Sequence, residues 1–405
     1  MNRYANIFPD ISPIVIRSAC AERYKFYKTN AKYFSWNVKK CVSIKTNIDN
    51  GKQPGDGWER NEEMNKLKVA VIGCGNISVM HLDSIEALDE AELVAVCDIK
   101  PERAAAAAEK YHTKAYTDYH EMFAKEKLDV IHLCLPHYLH TIVAKDAFQA
   151  GIHVLSEKPM SIRYEDAVSA VEMAEQCGLQ YGIIFQCRYN TPSMLVKKRI
   201  VDGRLGAVKC GRTTLTWYRP DNYYGGSDWK GTWDKEGGGV IIDQAIHSID
   251  LANWFIDSTP VEVQSSLHNR NHEIMVVEDS AEGLIKYENG CLLSFFAMNN
   301  YLIDEPIEIR LVCEHGTVRL SYDEAVITYD DGTVESVVNQ PQKIVAYTGG
   351  KPYWGKQHAV QIDQFYRAVA GLDALEISGK EALKIQKIIC DIYQNDDNKF
   401  AKKQR

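Results

Sequence analysis

The sequence predicts an α/β protein in two parts: a doubly wound parallel sheet over residues 66–186, then a β-rich α+β region over 187–398. Three observations carry this. Apolar strand-like runs alternate with helical segments from Leu67 to Phe185. A glycine turn joins the first run to the first helix. Beyond Arg188 the pattern changes to short β-rich runs punctuated by Asn289-Gly290 and Asp331-Gly332.

Composition narrows the class. The 405 residues are 45% hydrophobic and 25% charged, ordinary values for a folded chain, which exclude disorder and coiled coil for most of it. No run approaches the roughly 18 uninterrupted apolar residues of a membrane span. Lys and Arg number 47 against 55 Asp and Glu, a net charge of −8. That leaves no basic surplus for a phosphate backbone, so a small-molecule partner is expected and nucleic acid is not. The eleven cysteines contain no C-x-x-C pair, which argues against zinc ribbons and thioredoxin chemistry. Their scattered use fits a reducing, cytoplasmic compartment. Ile14-Val15-Ile16 is too short for a secretory signal.

Residues 1–63 differ from the rest. They hold 11 Lys and Arg against 7 Asp and Glu, scattered aromatics without a sustained period, and a polar Gly/Pro-containing stretch from Asn47 to Glu63. That is linker composition, and these residues are read as a dispensable appendage, with a targeting or docking arm as the alternative.

The elements follow in order. Leu67–Ile72 is apolar but for one lysine, as in a strand buried on both faces. Gly73-Cys74-Gly75-Asn76-Ile77-Ser78 comes next, then a helix to about Leu88. A second strand, Glu92–Cys97, ends at Asp98. Then come helix Pro101–Tyr111, strand Asp129–Cys134, helix Leu139–Ala150, strand Ile152–Leu155, helix Arg163–Cys177 and strand Gln180–Phe185. Repeated βα units imply a parallel sheet covered by helices. In the second half the strands are Val208–Tyr218, Val261–Leu267, Ala281–Tyr287, Cys291–Ala297, Ile307–Cys313, Gly316–Ser321 and Ala325–Tyr329. Helices Val240–Ile256, Gln357–Ala370 and Gly379–Gln394 interrupt or close the series.

The glycine turn has chemical content. Gly73 allows the tight turn, Gly75 lets backbone approach a pyrophosphate, and the following helix N-terminus presents free N–H groups to phosphate charge. Asp98 at the tip of the second strand can accept both hydroxyls of a ribose and repels a 2′-phosphate, which favours NAD over NADP. Ser78 stands where Gly or Ala is commoner and is small enough for helix–strand packing. Ligands of such sheets lie at the carboxyl ends of the strands. Leu135, His137 and His140 sit at one such end, and Glu157 and Lys158 at another. They are expected to line the dinucleotide with Gly73, Gly75, Asn76, Ile77 and Asp98.

With these landmarks, Gly237-Gly238-Gly239 and Asp243-x-x-x-His247 complete a pattern. From Lys66 to about Gln394 the chain resembles the Gfo/Idh/MocA oxidoreductases, which include inositol 2-dehydrogenase and glucose–fructose oxidoreductase. The resemblance implies a Rossmann domain followed by a large, open, mostly antiparallel sheet, through which a homodimer or homotetramer would form. It implies hydride transfer between NAD(P) and a secondary alcohol of a sugar, glycoside or cyclitol. It also implies that Lys158 is catalytic or positions substrate, where an ammonium would stabilise developing oxyanion charge.

Asp243 and His247, at i and i+4, share one face of an otherwise apolar helix, where polar groups are costly unless partnered or functional. Histidine suits removal of a hydroxyl proton, with Asp243 orienting the ring or holding substrate hydroxyls. No third ligand at fixed spacing accompanies the pair, so no metal is expected there. Trp217, Tyr218, Tyr223, Tyr224, Trp229 and Trp233 precede Gly237 and are read as an aromatic substrate wall. Of these, Tyr218, Trp229 and Trp233 are taken with Arg188, Asp243 and His247 as substrate-binding. Tyr353 and His358 are further candidates. Two alternatives stand beside the dehydrogenase reading: NAD-dependent glycoside cleavage through transient oxidation and elimination, and a non-enzymatic dinucleotide sensor.

A chain beginning at Met64 is expected to fold and retain its NAD affinity. Loss of soluble protein, or of cofactor binding in a titration, would place the domain boundary elsewhere.

Overall fold

A computed structural model describes residues 66–340, 345, 347–349 and 357–401. The segment 1–63 and Tyr353 lie outside the described residues. Strand β1 (Leu67–Ile72) ends in four buried residues. It pairs in parallel with β2 (Ala91–Cys97) on one side and β4 (Val130–Leu133) on the other. Adding β3 (Lys114–Tyr116), β5 (His153–Ser156) and β6 (Tyr181–Ile183) gives a six-stranded sheet ordered β3-β2-β1-β4-β5-β6. The order reverses between β1 and β4, which opens a crevice at the carboxyl ends of those strands. The connecting helices are α1 (Ser78–Ala87), α2 (Pro101–Lys110), α3 (Tyr119–Lys125), α4 (His140–Gln149) and α5 (Tyr164–Cys177).

The second part opens with α6 (Thr191–Val201) and α7 (Asp221–Gly225), and holds α8 (Ile246–Ile256). Its strands are β7 (Val208–Thr216), β8 (Pro260–His268), β9 (Ser280–Tyr287), β10 (Leu292–Met298), β11 (Glu308–Cys313), β12 (Gly316–Leu320), β13 (Glu324–Tyr329) and β14 (Val334–Val338). They form one sheet ordered β14-β13-β12-β11-β7-β10-β9-β8. Only the β7–β10 pair runs parallel. Residues in β10 and β11 alternate between exposed and buried, so one face packs on α8 and α10 (Gly379–Gln394). The other face leaves Leu292, Phe296 and Val312 exposed. Asn289-Gly290 and Asp331-Gly332 make the expected hairpin turns, with both glycines at positive φ.

Helix α9 (His358–Val369) returns to the first sheet. Its Ile362, Phe365 and Tyr366 share a core with Val69, Val71 and Leu82. The described residues accordingly form one compact unit. The expected boundary at 186/187 marks a change of sheet, not a gap in packing.

Five elements differ from the sequence reading, which has no β3, α3, α6, α7 or β14. Strand β3 is three residues long and shows no period. Helix α3 does carry a start signal: the Asp118 carboxylate accepts the His120 N–H at 2.9 Å, and Glu121 follows three residues later. In α6, Pro192 occupies the first turn, a position that needs no N–H donor. The helix expected over Val240–Ile256 opens as a π-turn, Ile241–Ala245, before α8. Glu278 imposes that start. Its carboxylate accepts the N–H groups of Gly239 (2.9 Å) and Ile241 (3.1 Å), and its carbonyl accepts that of Val240. A Cβ on Gly239 would lie 1.9 Å from the Glu278 carbonyl oxygen, so only glycine permits this approach.

Candidate active site

The glycine turn crosses the end of β4. Gly73 has φ +95°, and a Cβ there would lie 2.3 Å from the Cys134 carbonyl oxygen. A Cβ on Gly75 would meet no protein atom within 4 Å, so its backbone borders an open cradle before α1. Asn76 is exposed and Ile77 precedes the first residue of α1. The Asp98 carboxylate accepts the N–H groups of Cys74 at 2.8 Å and Lys100 at 2.9 Å. It thereby ties the turn to the tip of β2. A cradle, a helix N-terminus and a strand-end carboxylate suit a dinucleotide. Burial pushes the Cys74 thiol up to about 12, so it is no nucleophile.

Across the crevice, Asp243 collects charged and polar donors. Lys158 Nζ donates to the Asp243 carbonyl at 2.6 Å and to its Oδ1 at 3.2 Å. Oδ2 accepts from Gln244 at 2.7 Å, the Tyr223 hydroxyl at 2.9 Å and Lys230 Nζ at 3.0 Å. Burial alone would raise this carboxyl, but Lys230 and then Lys158 overrule it and hold it well below the usual carboxylate range. Within 241–251 the only residues not fully buried are Asp243 and His247. Their shared face therefore opens to the crevice while the rest of the helix is core. Burial, reinforced by Lys158, lowers His247 to about 3, so the ring is neutral. It packs edge-on to Phe185, with 6.0 Å between centroids.

The strand-end segments brace this group. His137 donates from Nδ1 to the Glu236 carbonyl at 2.8 Å, and its ring meets Trp229 at 4.8 Å. His140 lies between the carbonyls of Pro159 (2.7 Å) and Leu135 (2.8 Å), fastening the Leu135–His140 segment to the Lys158 loop. Glu157 is buried between His81 and His358.

Other candidates sit elsewhere. The Arg188 guanidinium makes a two-pronged pair with Asp250 at 2.5 and 2.8 Å and reaches Glu381 at 3.1 Å, inside the core. Trp233 donates to the Val276 carbonyl and packs on Tyr393 and Phe400. Tyr218 is half exposed, its N–H on Asp304. Trp229 and Tyr223 do border the Asp243 group. Lys230 was missed. It is the one cation between Trp229 and Trp233, and attention to the aromatics passed over it. Among the described residues, His81, Glu157 and His358 converge within 4.8 Å, a grouping that no sequence spacing announces.

Replacing Lys230 by Met removes one charged donor from Asp243. The Asp243 carboxyl should then titrate at higher pH, as followed by carboxylate NMR. A carboxyl whose folded pKa is depressed contributes stability above its unfolded value of ~3.9 and loses it as pH falls through the folded value. The variant should therefore unfold at a higher pH on acidification. It should lose about 1.5–3 kcal/mol at neutral pH. An unmoved titration would show that Lys158 alone holds the charge.

Comparison with known proteins places this architecture. The D-glucoside 3-dehydrogenase of Escherichia coli (strain K12) is 26% identical over 353 residues, covering 81% of this chain and 95% of that protein. The myo-inositol 2-dehydrogenase of Thermotoga maritima is 25% identical over 198 residues, 49% of this chain and 57% of that one. The WlbA dehydrogenase from Bordetella pertussis, solved in complex with NADH and UDP-GlcNAcA, superposes with a TM-score of 0.71. It is 28% identical and covers 82% of this chain and 96% of its own. Residues 67–185 match the oxidoreductase family model with an NAD-binding Rossmann fold, and residues 194–319 match the C-terminal domain of the same family. With both halves matched in order, the chain belongs to the GFO/IDH/MocA family of NAD-binding oxidoreductases.

Proposed function

We propose that this oxidoreductase transfers a hydride between NAD and a secondary alcohol of a sugar or cyclitol, with Lys158, Asp243 and His247 acting on the alcohol. One observation carries the reading: Asp243 and His247 are the open positions of an otherwise buried helical stretch, and Lys158 reaches Asp243 from the end of β5. The substrates named for the relatives, a glucoside, an inositol and a nucleotide-linked sugar, support a polyhydroxylated ring.

The roles follow from the contacts. The Lys158 ammonium donates to the substrate oxygen and stabilises negative charge developing there. Asp243 holds Lys158 and Lys230 in place and keeps accepting capacity for substrate hydroxyls. His247 is neutral and accepts the hydroxyl proton. Burial and Lys158 keep the ring uncharged before substrate binds. Bound NAD supplies the hydride acceptor. Trp229 and Tyr223 offer ring faces beside this group, suited to the C–H faces of a sugar.

Asp98 supports NAD over NADP, since its carboxylate at the tip of β2 favours a ribose diol and repels a phosphate. The apolar side chains on the open face of the second sheet support a homodimer or homotetramer. The composition supports a cytoplasmic enzyme.

His247→Ala should lower kcat by on the order of 10²–10⁴ while leaving NAD affinity nearly unchanged. Lys158→Ala should cut kcat and raise KM, and the double variant should lose less than the product of the two. A fully active, NAD-binding His247→Ala protein would remove that residue from the mechanism. For the cofactor, kcat/KM should favour NAD over NADP by at least about tenfold, and Asp98→Ala should narrow the gap. Equal values in the unmutated enzyme would contradict the role given to Asp98.

A further inference from the structure

Glu157 ends up as the terminus of a buried chain of hydrogen bonds drawn from four elements. It follows β5, and its Oε1 lies 3.1 Å from His81 Nε2 on α1 and 3.3 Å from His358 Nε2 at the start of α9. Its Oε2 accepts the Lys158 N–H at 3.2 Å. His81 Nδ1 is 2.8 Å from Nδ1 of His132 on β4, and His132 Nε2 is 2.9 Å from the Tyr366 hydroxyl on α9. All five side chains are buried.

One assignment of protons satisfies every link. The Tyr366 hydroxyl donates to His132 Nε2, His132 Nδ1–H donates to His81 Nδ1, and His81 Nε2–H donates to Glu157. Desolvation favours the uncharged ring in both His81 and His132. Glu157 is thus the sole charge of the chain and its final acceptor. Burial pushes its carboxyl up, but the donors His358 and His81 overrule burial and hold it well below the usual range. The groups face Glu157 from α1, β4 and α9, and neutral His247, cationic Lys158, His140 of α4 and Cys134 also lie within its field.

The sheet order says what this charge faces. Asp98 lies at the end of β2, the glycine turn at the end of β1, and Glu157 beyond the reversal at the end of β5. A dinucleotide with its adenosine ribose at Asp98 and its pyrophosphate at the turn directs its nicotinamide toward β4 and β5. There Lys158 and Lys230 carry two positive charges, and Asp243 answers one of them.

We propose that the clamped Glu157 carboxylate is a fixed anion that favours the positively charged oxidised nicotinamide over the neutral reduced one, biasing the bound cofactor toward NAD⁺. The inference rests on the placement of the nicotinamide beside Lys158 under the proposed function. The convergence of His81, Glu157 and His358 would also suit a divalent ion. The proton assignment accounts for the same atoms without one, so metal content is an outcome of the test.

The test measures the Kd of NAD⁺ and of NADH by titration of the full chain, without turnover. In Glu157→Gln the ratio Kd(NAD⁺)/Kd(NADH) should rise about tenfold, equivalent to a bound-cofactor potential about 30 mV more positive. His358→Leu removes one of the donors that keep the Glu157 carboxyl ionised. Part of the population then becomes protonated and uncharged, so the ratio should move the same way by a smaller factor, most at low pH. This second variant carries the test if Glu157→Gln does not fold. An unchanged ratio, or an equal loss of both affinities, would overturn the proposal. So would one equivalent of zinc that survives dialysis of the unmutated protein and is lost in His358→Leu. Failure of the catalytic reading is distinguishable, because it appears as undiminished kcat in Lys158→Ala and His247→Ala whatever the binding ratio does.

Discussion

The crevice depends on one buried carboxylate that serves both halves of the molecule. Asp243 takes Lys158 from the end of β5 and Lys230 and Tyr223 from the segment around α7. A lone carboxylate at that depth would cost several kcal/mol. Two ammonium groups and two neutral donors offset the cost, and in doing so they position the side chains that line the crevice. The interaction is structural and chemical together: what holds the two sheets in register also sets the charge of the site.

That carboxylate is placed by constraints behind it. Gly239 approaches the Glu278 backbone more closely than any side chain allows, and Glu278 takes the first N–H groups of the helical segment. The Tyr393 hydroxyl of α10 bridges the arrangement, accepting from the Ile242 N–H and donating to Glu278 at 2.8 Å. The first turn then widens into a π-turn at Ile241–Ala245, a form often found at functional sites. Burial raises Glu278 to about 7, and this cap is accordingly a polar group deep in the core whose value lies in the geometry it imposes.

Much of the candidate site was legible because its residues sit at element ends. The glycine turn, Asp98, the Leu135–His140 segment and Lys158 all follow apolar runs whose length and periodicity mark strands. Position at a carboxyl end is then a topological consequence. Asp243 and His247 stood out as polar residues on an apolar helix. Arg188 and Trp233 read differently for the opposite reason: residue type suggested contact with a ligand, while their side chains already engage Asp250 and Val276. A side chain's partner tens of residues away leaves no periodic trace.

Local sequence determined most strands and helices, the two hairpin turns and the dinucleotide turn, since each is set by backbone preferences and by the period of buried positions over a few residues. Tertiary structure alone decided which charges meet. Lys230 joins Asp243 across 13 residues, His358 joins Glu157 across 201, and Tyr366 joins His132 across 234. Those pairings follow from how α9 folds back over the first sheet and how the second sheet closes against it. Their energies come from burial, which no residue carries in its own identity: the same glutamate that would be an ordinary surface acid is held, under two histidine donors, well below the usual carboxylate range in the core.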